Sequence, residues 1–268
     1  MHDYLKKIIE NKKIEVTQLK TIIAQDPAHP IRQFFQAPEN FAPIHRFKKA
    51  ITRKKSSLIA EIKRKSPSKN ALAEIPDPIS LAKQYVAGGA SAISVLTDAY
   101  GFAGSIKDLK LVSTALKDTD VAVLRKDFMI DPVQIAESLI AGADAILLIV
   151  AVLNERTAMM LDKAKSLGVD AVVEVHDKDE LNYAVSIGAE IIGVNNRDLS
   201  SFDVDPQRAF TLLPYIPDDV LKIAESGMQS SETAAQYITA GFDAVLIGEA
   251  LVRSGDPEKF IEKFRESV

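Results

Sequence analysis

Apolar residues in this chain come in short β-branched runs separated by longer stretches of helical period, such as Val133 to Ala141 and Met159 to Leu167. The junctions repeat. Gly89-Ala90-Ser91-Ala92-Ile93 matches Gly142-Ala143-Asp144-Ala145-Ile146 and Gly168-Val169-Asp170-Ala171-Val172. Gly188-Ala189-Glu190-Ile191-Ile192 and Gly241-Phe242-Asp243-Ala244-Val245 share the same plan. In each, a glycine ends the helical stretch, where it can turn left-handed, and the chain then enters a strand. Leu58 to Ile62, Val121 to Leu124 and Val220 to Ala224 supply the units missing between these repeats. Eight strands are thus predicted, near 58–62, 91–96, 121–125, 144–150, 170–175, 190–195, 220–224 and 243–247. Nearly continuous apolar strands alternating with helices indicate parallel βαβ units. Eight of them predict an α/β protein, a (β/α)8 TIM barrel, over 51–268. No Gly-x-Gly-x-x-Gly comes after the first strand, which argues against a dinucleotide-binding sheet. Residues 1–50 form a helical extension: Tyr4 to Ala24 has helical period, and Pro27, Pro30, Pro38 and Pro43 punctuate the segment between it and the first strand. Packing on the barrel is the favoured role for it, a lid over the mouth the alternative.

The 268 residues suit one barrel with a short extension, and 47% hydrophobic content suits a large core. A net charge of −4 with mixed signs predicts no nucleic-acid partner, and Arg53-Lys54-Lys55 reads as a solvated run. The N-terminus has no apolar signal segment, and the longest apolar stretch, Ala145 to Leu153, is a buried strand rather than a membrane span. The absence of cysteine excludes disulfides and thiolate chemistry and fits a reducing cytoplasm. His2, His29, His45 and His176 lack metal-ligand spacing, and there is no P-loop or Gly-x-Ser-x-Gly elbow. Neither metal nor cofactor is expected. A monomer is the expected state, a homodimer the alternative.

Barrels of this kind build their sites where the strands end. Here those ends are charged: Glu61 and Lys63 after the first strand, Lys126 after the third, Glu174 and His176 after the fifth, Asn195 and Arg197 after the sixth, Glu225 after the seventh. Glu61 and Lys63 lie two apart and so share a face, where a simple ion pair would also explain them. Several charges in one low-dielectric mouth shift one another's pKa values, a hallmark of active sites. Lys126 is expected to be lowered toward use as a general acid near neutral pH. His176 reads as a supporting or surface residue.

Ser226-Gly227 after strand seven and Gly248-Glu249-Ala250 after strand eight occupy the recurrent phosphate position of these barrels. Glu249 is expected to turn its side chain away and offer only its N–H. Phe102, Phe128, Leu147, Ile149 and Leu199 suit either ordinary core or an apolar slot for an aromatic ring.

Glu61-Ile62-Lys63-Arg64-Lys65-Ser66-Pro67-Ser68 closely resembles the signature of the indole-3-glycerol phosphate synthase family. The resemblance recurs at Phe102-Ala103-Gly104-Ser105, Leu124-Arg125-Lys126-Asp127-Phe128, Gly193 to Leu199 and Ala224-Glu225-Ser226-Gly227, and spans the chain. It implies conversion of 1-(2-carboxyphenylamino)-1-deoxyribulose 5-phosphate into indole-3-glycerol phosphate, carbon dioxide and water. It implies Lys126 as the acid at the ketone oxygen, with Glu174, Lys63 and Glu61 sharing the acid and base roles of dehydration in an undivided way. The phosphate would meet Ser226, Gly227, Gly248, the Glu249 backbone and Lys63. The carboxylate would meet Arg197 or Lys63, the ribulose hydroxyls Asn195 and Glu225, and Ser66 also belongs to the substrate-binding set. Lys69-Asn70 stands where many relatives have a glycine. Two alternatives remain open. Phosphoribosylanthranilate isomerase is another phosphosugar barrel, but it uses a cysteine base that this chain lacks. A non-catalytic phospholigand-binding barrel would need the phosphate loops without the charged mouth.

Overall fold

Eight parallel strands close into a barrel: β1 Ser57–Ile62, β2 Ala92–Leu96, β3 Ala122–Lys126, β4 Ala145–Ile149, β5 Asp170–Val175, β6 Ile191–Asn195, β7 Leu221–Glu225 and β8 Ala244–Ile247. Each lies within one residue of its expected bounds. Sequence neighbours are also spatial neighbours, and β8 closes the ring on β1 with Ser57 beside Ala244. This computed structural model describes residues 3–37, 45–53, 56–66, 69–71, 75–199 and 201–268. His2, Pro38, Pro43, Lys54, Lys55, Pro67 and Ser68 lie outside the described residues, as do the side chains of Ser66, Lys69 and Asn70.

The helices start where the sequence provides caps. Asp77, Asp131 and Asp256 each accept a main-chain N–H, from Ile79, Val133 and Lys259, and each is followed by proline at the first helical position. Such a cap stabilises a helix by about 1 kcal/mol, and proline there gives up only an N–H that would have no helical partner. The repeat glycines end the preceding turns as expected, with φ from 71° at Gly168 to 120° at Gly241.

Two apolar cores result. One fills the space between the strands and the surrounding helices, with Val95, Val123, Ile146, Val173 and Val194 facing outward from the strands. The other fills the barrel itself with every second strand residue, among them Ile59, Leu124, Leu147, Val172, Ile223 and Leu246. Truncating one of these to alanine costs about 2–5 kcal/mol, because the closed ring cannot collapse around the void.

The N-terminal segment occupies both ends. The helix Arg46–Thr52 plugs the base with Phe47 and Ile51. Arg46 Nη2 donates there to the carbonyls of Leu116, Thr119 and Val121, and Nη1 pairs with Asp144 at 3.1 Å. The helix Asp3–Gln25 instead brings Leu5 and Ile8 to the opposite end, where they border the cavity over the strand ends. Among the described residues, no helix is long and apolar enough to cross a membrane.

Candidate active site

Strand alternation decides which side chains enter the mouth. With Ile59, Leu124, Val172 and Ile223 inside, the residues two further along β1, β3, β5 and β7 also point inward. These are Glu61, Lys126, Glu174 and Glu225. The tilt of the strands brings them to one level as the uppermost layer of four, drawn from alternate strands. Lys126 Nζ lies 2.8 Å from Glu174 Oε2 and 3.0 Å from Glu225 Oε2, and Glu174 and Glu225 are almost fully buried. Lys63 Nζ pairs with Glu61 Oε1 at 2.9 Å. That ion pair exists, but it borders the same cavity rather than standing apart.

The layer fits only because two neighbouring positions carry no side chain. A Cβ on Gly193 would collide with Glu225 Oε1, and one on Gly248 would sit 2.6 Å from Glu61 Oε1. Gly193→Ala is therefore expected to displace Glu225, lowering kcat/KM about 10- to 100-fold and stability by about 1–3 kcal/mol. Thermal melts and steady-state rates would test this, and a variant with native values for both would remove Gly193 from that role.

The electrostatics correct one expectation. Burial pulls the Lys126 pKa down, but the carboxylates of Glu174, Glu225 and Glu61 outweigh it and hold the ammonium above its ordinary range. Lys126 is therefore firmly protonated, not tuned toward neutrality. The sequence shows the lysine but not that three carboxylates surround it. Burial likewise pushes Glu174 up, and Lys126 and His176 overcome it, keeping this carboxylate below the usual range. Burial, reinforced by Glu174, pushes Glu225 up to about 7 despite Lys126.

One cavity of about 930 Å³ lies over this layer. Its loop side carries Ser226, Gly227, Gly248 and Glu249. Ser226 and Gly227 are consecutive left-handed residues, φ 66° and 86°, which turns the chain sharply at the end of β7. Its apolar wall carries Phe102, Phe128, Leu147, Ile149 and Leu199, the two rings 6.2 Å apart between centroids. Asn195 donates to Glu174 Oε1 at 3.1 Å and accepts the Arg197 N–H at 3.0 Å. Arg197 Nη1 donates to the Phe202 carbonyl at 2.9 Å. Every candidate from the sequence borders this cavity except Ser66, whose side chain lies outside the described residues. The Glu249 carboxylate lies 3.4 Å from Arg253 and 3.9 Å from Arg197, both of which also line the cavity, so its charge is opposed on two sides.

Sequence reasoning missed several contributors. Leu96, at the end of β2, was legible from the alternation Ala92, Ser94, Leu96. Leu5, Ile8 and Arg253 gave no local signal. Neither did Lys12, which is 1% exposed and binds Asp127 at 2.9 Å, Asp98 at 3.3 Å and Glu15 at 2.6 Å. Asp127 comes directly after Lys126 and also holds Arg125, Thr97 and the Phe128 N–H. Asp98 accepts the Gly101 N–H in the short helix Ala99–Phe102, which presents Phe102. One buried lysine thus ties the N-terminal helix to two turns of the mouth.

The family model described as indole-3-glycerol phosphate synthase matches residues 5–264. A protein of that name from a Nocardioides species is 48% identical over 209 residues, covering 78% of this chain and 79% of the relative. Another, from Pelodictyon phaeoclathratiforme, is 45% identical over 254 residues, covering 94% and 96%. Among solved structures, 3-hexulose-6-phosphate synthase from Salmonella typhimurium superposes with a TM-score of 0.65 at 18% identity, over 79% of this chain and 97% of that one. Thiamine phosphate pyrophosphorylase from Pyrococcus furiosus gives 0.61 at 15% identity, over 80% and 96%. These two likenesses speak to the fold alone.

Proposed function

The chain belongs to the indole-3-glycerol phosphate synthase family, and from that we propose that it closes the indole ring of 1-(2-carboxyphenylamino)-1-deoxyribulose 5-phosphate at the barrel mouth. The observation that carries the site assignment is the layer of Lys126 between Glu174 and Glu225, beside Glu61 and Lys63, under a cavity with the Ser226-Gly227 and Gly248-Glu249 loops on its rim.

Each part of the substrate has a receiver of matching chemistry. The phosphate sits against the main-chain N–H groups of Gly227, Gly248 and Glu249 and the Ser226 hydroxyl, with Lys63 as counter-charge. The ring lies on the apolar wall of Phe102, Phe128, Leu147, Ile149 and Leu199. The carboxylate is held by Arg197 through charge-assisted hydrogen bonds. Asn195 and Glu225 hold the ribulose hydroxyls. Folding the substrate back so that ring carbon meets ketone carbon converts a floppy encounter into an oriented one, an effect of up to roughly 7–11 kcal/mol.

The chemistry is then set by the charges. The ring carbon bearing the carboxylate attacks the ketone carbon, and Lys126 gives its proton to the ketone oxygen. A firmly protonated lysine does this because the developing alkoxide is itself strongly basic. The resulting iminium-like ring accepts the electron pair of the breaking carbon–carboxylate bond, and carbon dioxide leaves. Loss of the Lys126 proton also removes the cation that held Glu174 acidic, so Glu174 becomes a better base at the step that needs one. Glu174 takes the ring proton while Lys63, paired with Glu61, protonates the departing hydroxyl. Water leaves and aromaticity is restored.

The deciding experiment is incubation with the carboxyphenylamino sugar phosphate. Indole fluorescence rising in equal amount with carbon dioxide is expected; no indole product would overturn the assignment. Ser226→Asp tests the phosphate cradle separately. A carboxylate there repels the phosphate and is expected to raise KM about 10-fold or more with a smaller change in kcat, and an unchanged KM would displace the phosphate from this loop.

A further inference from the structure

His176 lies just past β5, two residues beyond Glu174, and its side chain is 9% exposed. Its ring lies between two carboxylates. Nε2 is 3.2 Å from Glu174 Oε1, and Nδ1 is 3.1 Å from Glu180 Oε2. Glu180 also accepts the main-chain N–H of His176 at 2.8 Å, and it stands in the first turn of the helix Lys178–Ser186. The contact at Nδ1 is a hydrogen bond, whereas the one at Nε2 is an ion-pair approach without full hydrogen-bond alignment. An ionised carboxylate can only accept, and a neutral imidazole has a single N–H. With a carboxylate oxygen at each nitrogen, the imidazolium is the form that satisfies both.

The other contacts of Glu174 show what this does. Oε1 meets His176 and the Asn195 amide, while Oε2 meets Lys126. One oxygen is thus held by two neighbours, and the other is left facing the mouth. We infer that His176 is a cationic positioning residue for Glu174: anchored by Glu180, its imidazolium pins Oε1 so that Oε2 is aimed at Lys126 and at the substrate. The inference rests on the reading of Glu174 as the base. It also gives the base a lasting counter-charge. When Lys126 has passed its proton on, Glu174 faces Glu225 without the ammonium between them, and the imidazolium keeps it ionised and fixed.

The titratable groups acting on His176 are Glu174 from its own strand and Glu180 from the adjoining helix. Behind Glu174 stand Lys126 on β3 and Glu225 on β7. Burial lowers the imidazole pKa, but the two carboxylates raise it to about 9. Because the folded value lies above the unfolded one, this contribution to stability is complete below about pH 6.5 and fades as pH rises through about 9.

The test uses the full chain and its four histidines. Nitrogen-15 NMR of histidine-labelled protein, with His176 assigned by its loss in His176→Asn, should show a doubly protonated ring at pH 7.5 that titrates near 9. A neutral His176 ring at pH 7.5 in the native protein would overturn the inference, whatever any variant does. Kinetics supply the second reading. His176→Leu is expected to lose about 10- to 100-fold in kcat with KM changed less than about threefold, the scale of misplacing a reacting group. Its acidic limb should move to higher pH, since Glu174 loses a cation that favours its charged form. His176→Asn keeps a donor for Oε1 and should recover part of the kcat. A folded His176→Leu with native kcat and native pH profile would also sink the idea. Glu174→Gln separates the two levels: native turnover in that variant removes the base assignment itself. Its loss of turnover beside an unaffected His176→Leu removes only the role of His176.

Discussion

Lys126→Ala is expected to lower kcat roughly 10²- to 10⁴-fold, the usual scale for a lost general acid, while substrate still binds. The protein should stay folded. Without the ammonium, Glu174 and Glu225 confront each other with Glu61 nearby, and burial already pushes Glu225 up to about 7. The crowded carboxylates can relieve that repulsion by taking up a proton, which limits the loss of stability. Lys126→Arg separates charge from proton transfer. The guanidinium keeps the positive charge but gives up a proton far less readily, so this variant should fold with near-native stability and remain slow. Single-turnover rates together with direct measurement of substrate affinity provide the check. Turnover within about tenfold of native in Lys126→Ala would take the acid role away from this lysine.

The largest effect on stability is expected at Lys12. Lys12→Met removes a fully buried cation and leaves Asp98 and Asp127 facing each other in the same space. Breaking a buried pair in this way costs about 3–5 kcal/mol, or about 10 °C in Tm for a chain of this size. The pH dependence carries a definite sign. Burial pushes Asp127 up, but Lys12 and Arg125 overcome it and hold its pKa at about 2. A depressed folded pKa contributes stability that is present above the unfolded value, near 4, and is lost as pH falls through about 2. The gap between the native protein and Lys12→Met should therefore be widest above pH 4 and narrow toward pH 2. Adding Asp98→Asn to Lys12→Met should recover part of the loss, because Asp98 is the carboxylate left without a cation, whereas Asp127 keeps Arg125. Denaturant melts across that pH range are the measurement, and a constant gap, or one that widens in acid, would contradict the electrostatic account.

The fold was legible because its signals are local. A glycine that must turn left-handed and a short β-branched run recur often enough to count the strands, and the alternation along each strand then selects Glu61, Lys126, Glu174 and Glu225 as inward residues. What escaped depends on residues meeting from distant parts of the chain. Lys12 sits in a helix where charges recur every few positions, so nothing marks it as the one that turns inward. Its partners lie just past β2 and β3. His176 and Glu180 are four apart, a spacing that signals contact only within a helix, whereas here a strand end meets the next helix. The direction of the Lys126 shift was misjudged for the same reason. Strand position shows that a lysine enters a charged mouth, but only the folded arrangement shows that the charges acting on it are carboxylates.

The seam where β8 meets β1 has one more implication. The volume that a side chain at 248 would fill is already taken by the carboxylate of residue 61, so the two positions divide a single parcel of space between the first and last turns of the ring. Neither is free to drift alone. A methyl group at 248 must push the carboxylate of residue 61 aside, so Glu61→Asp, which withdraws that carboxylate, should offset part of the cost of Gly248→Ala.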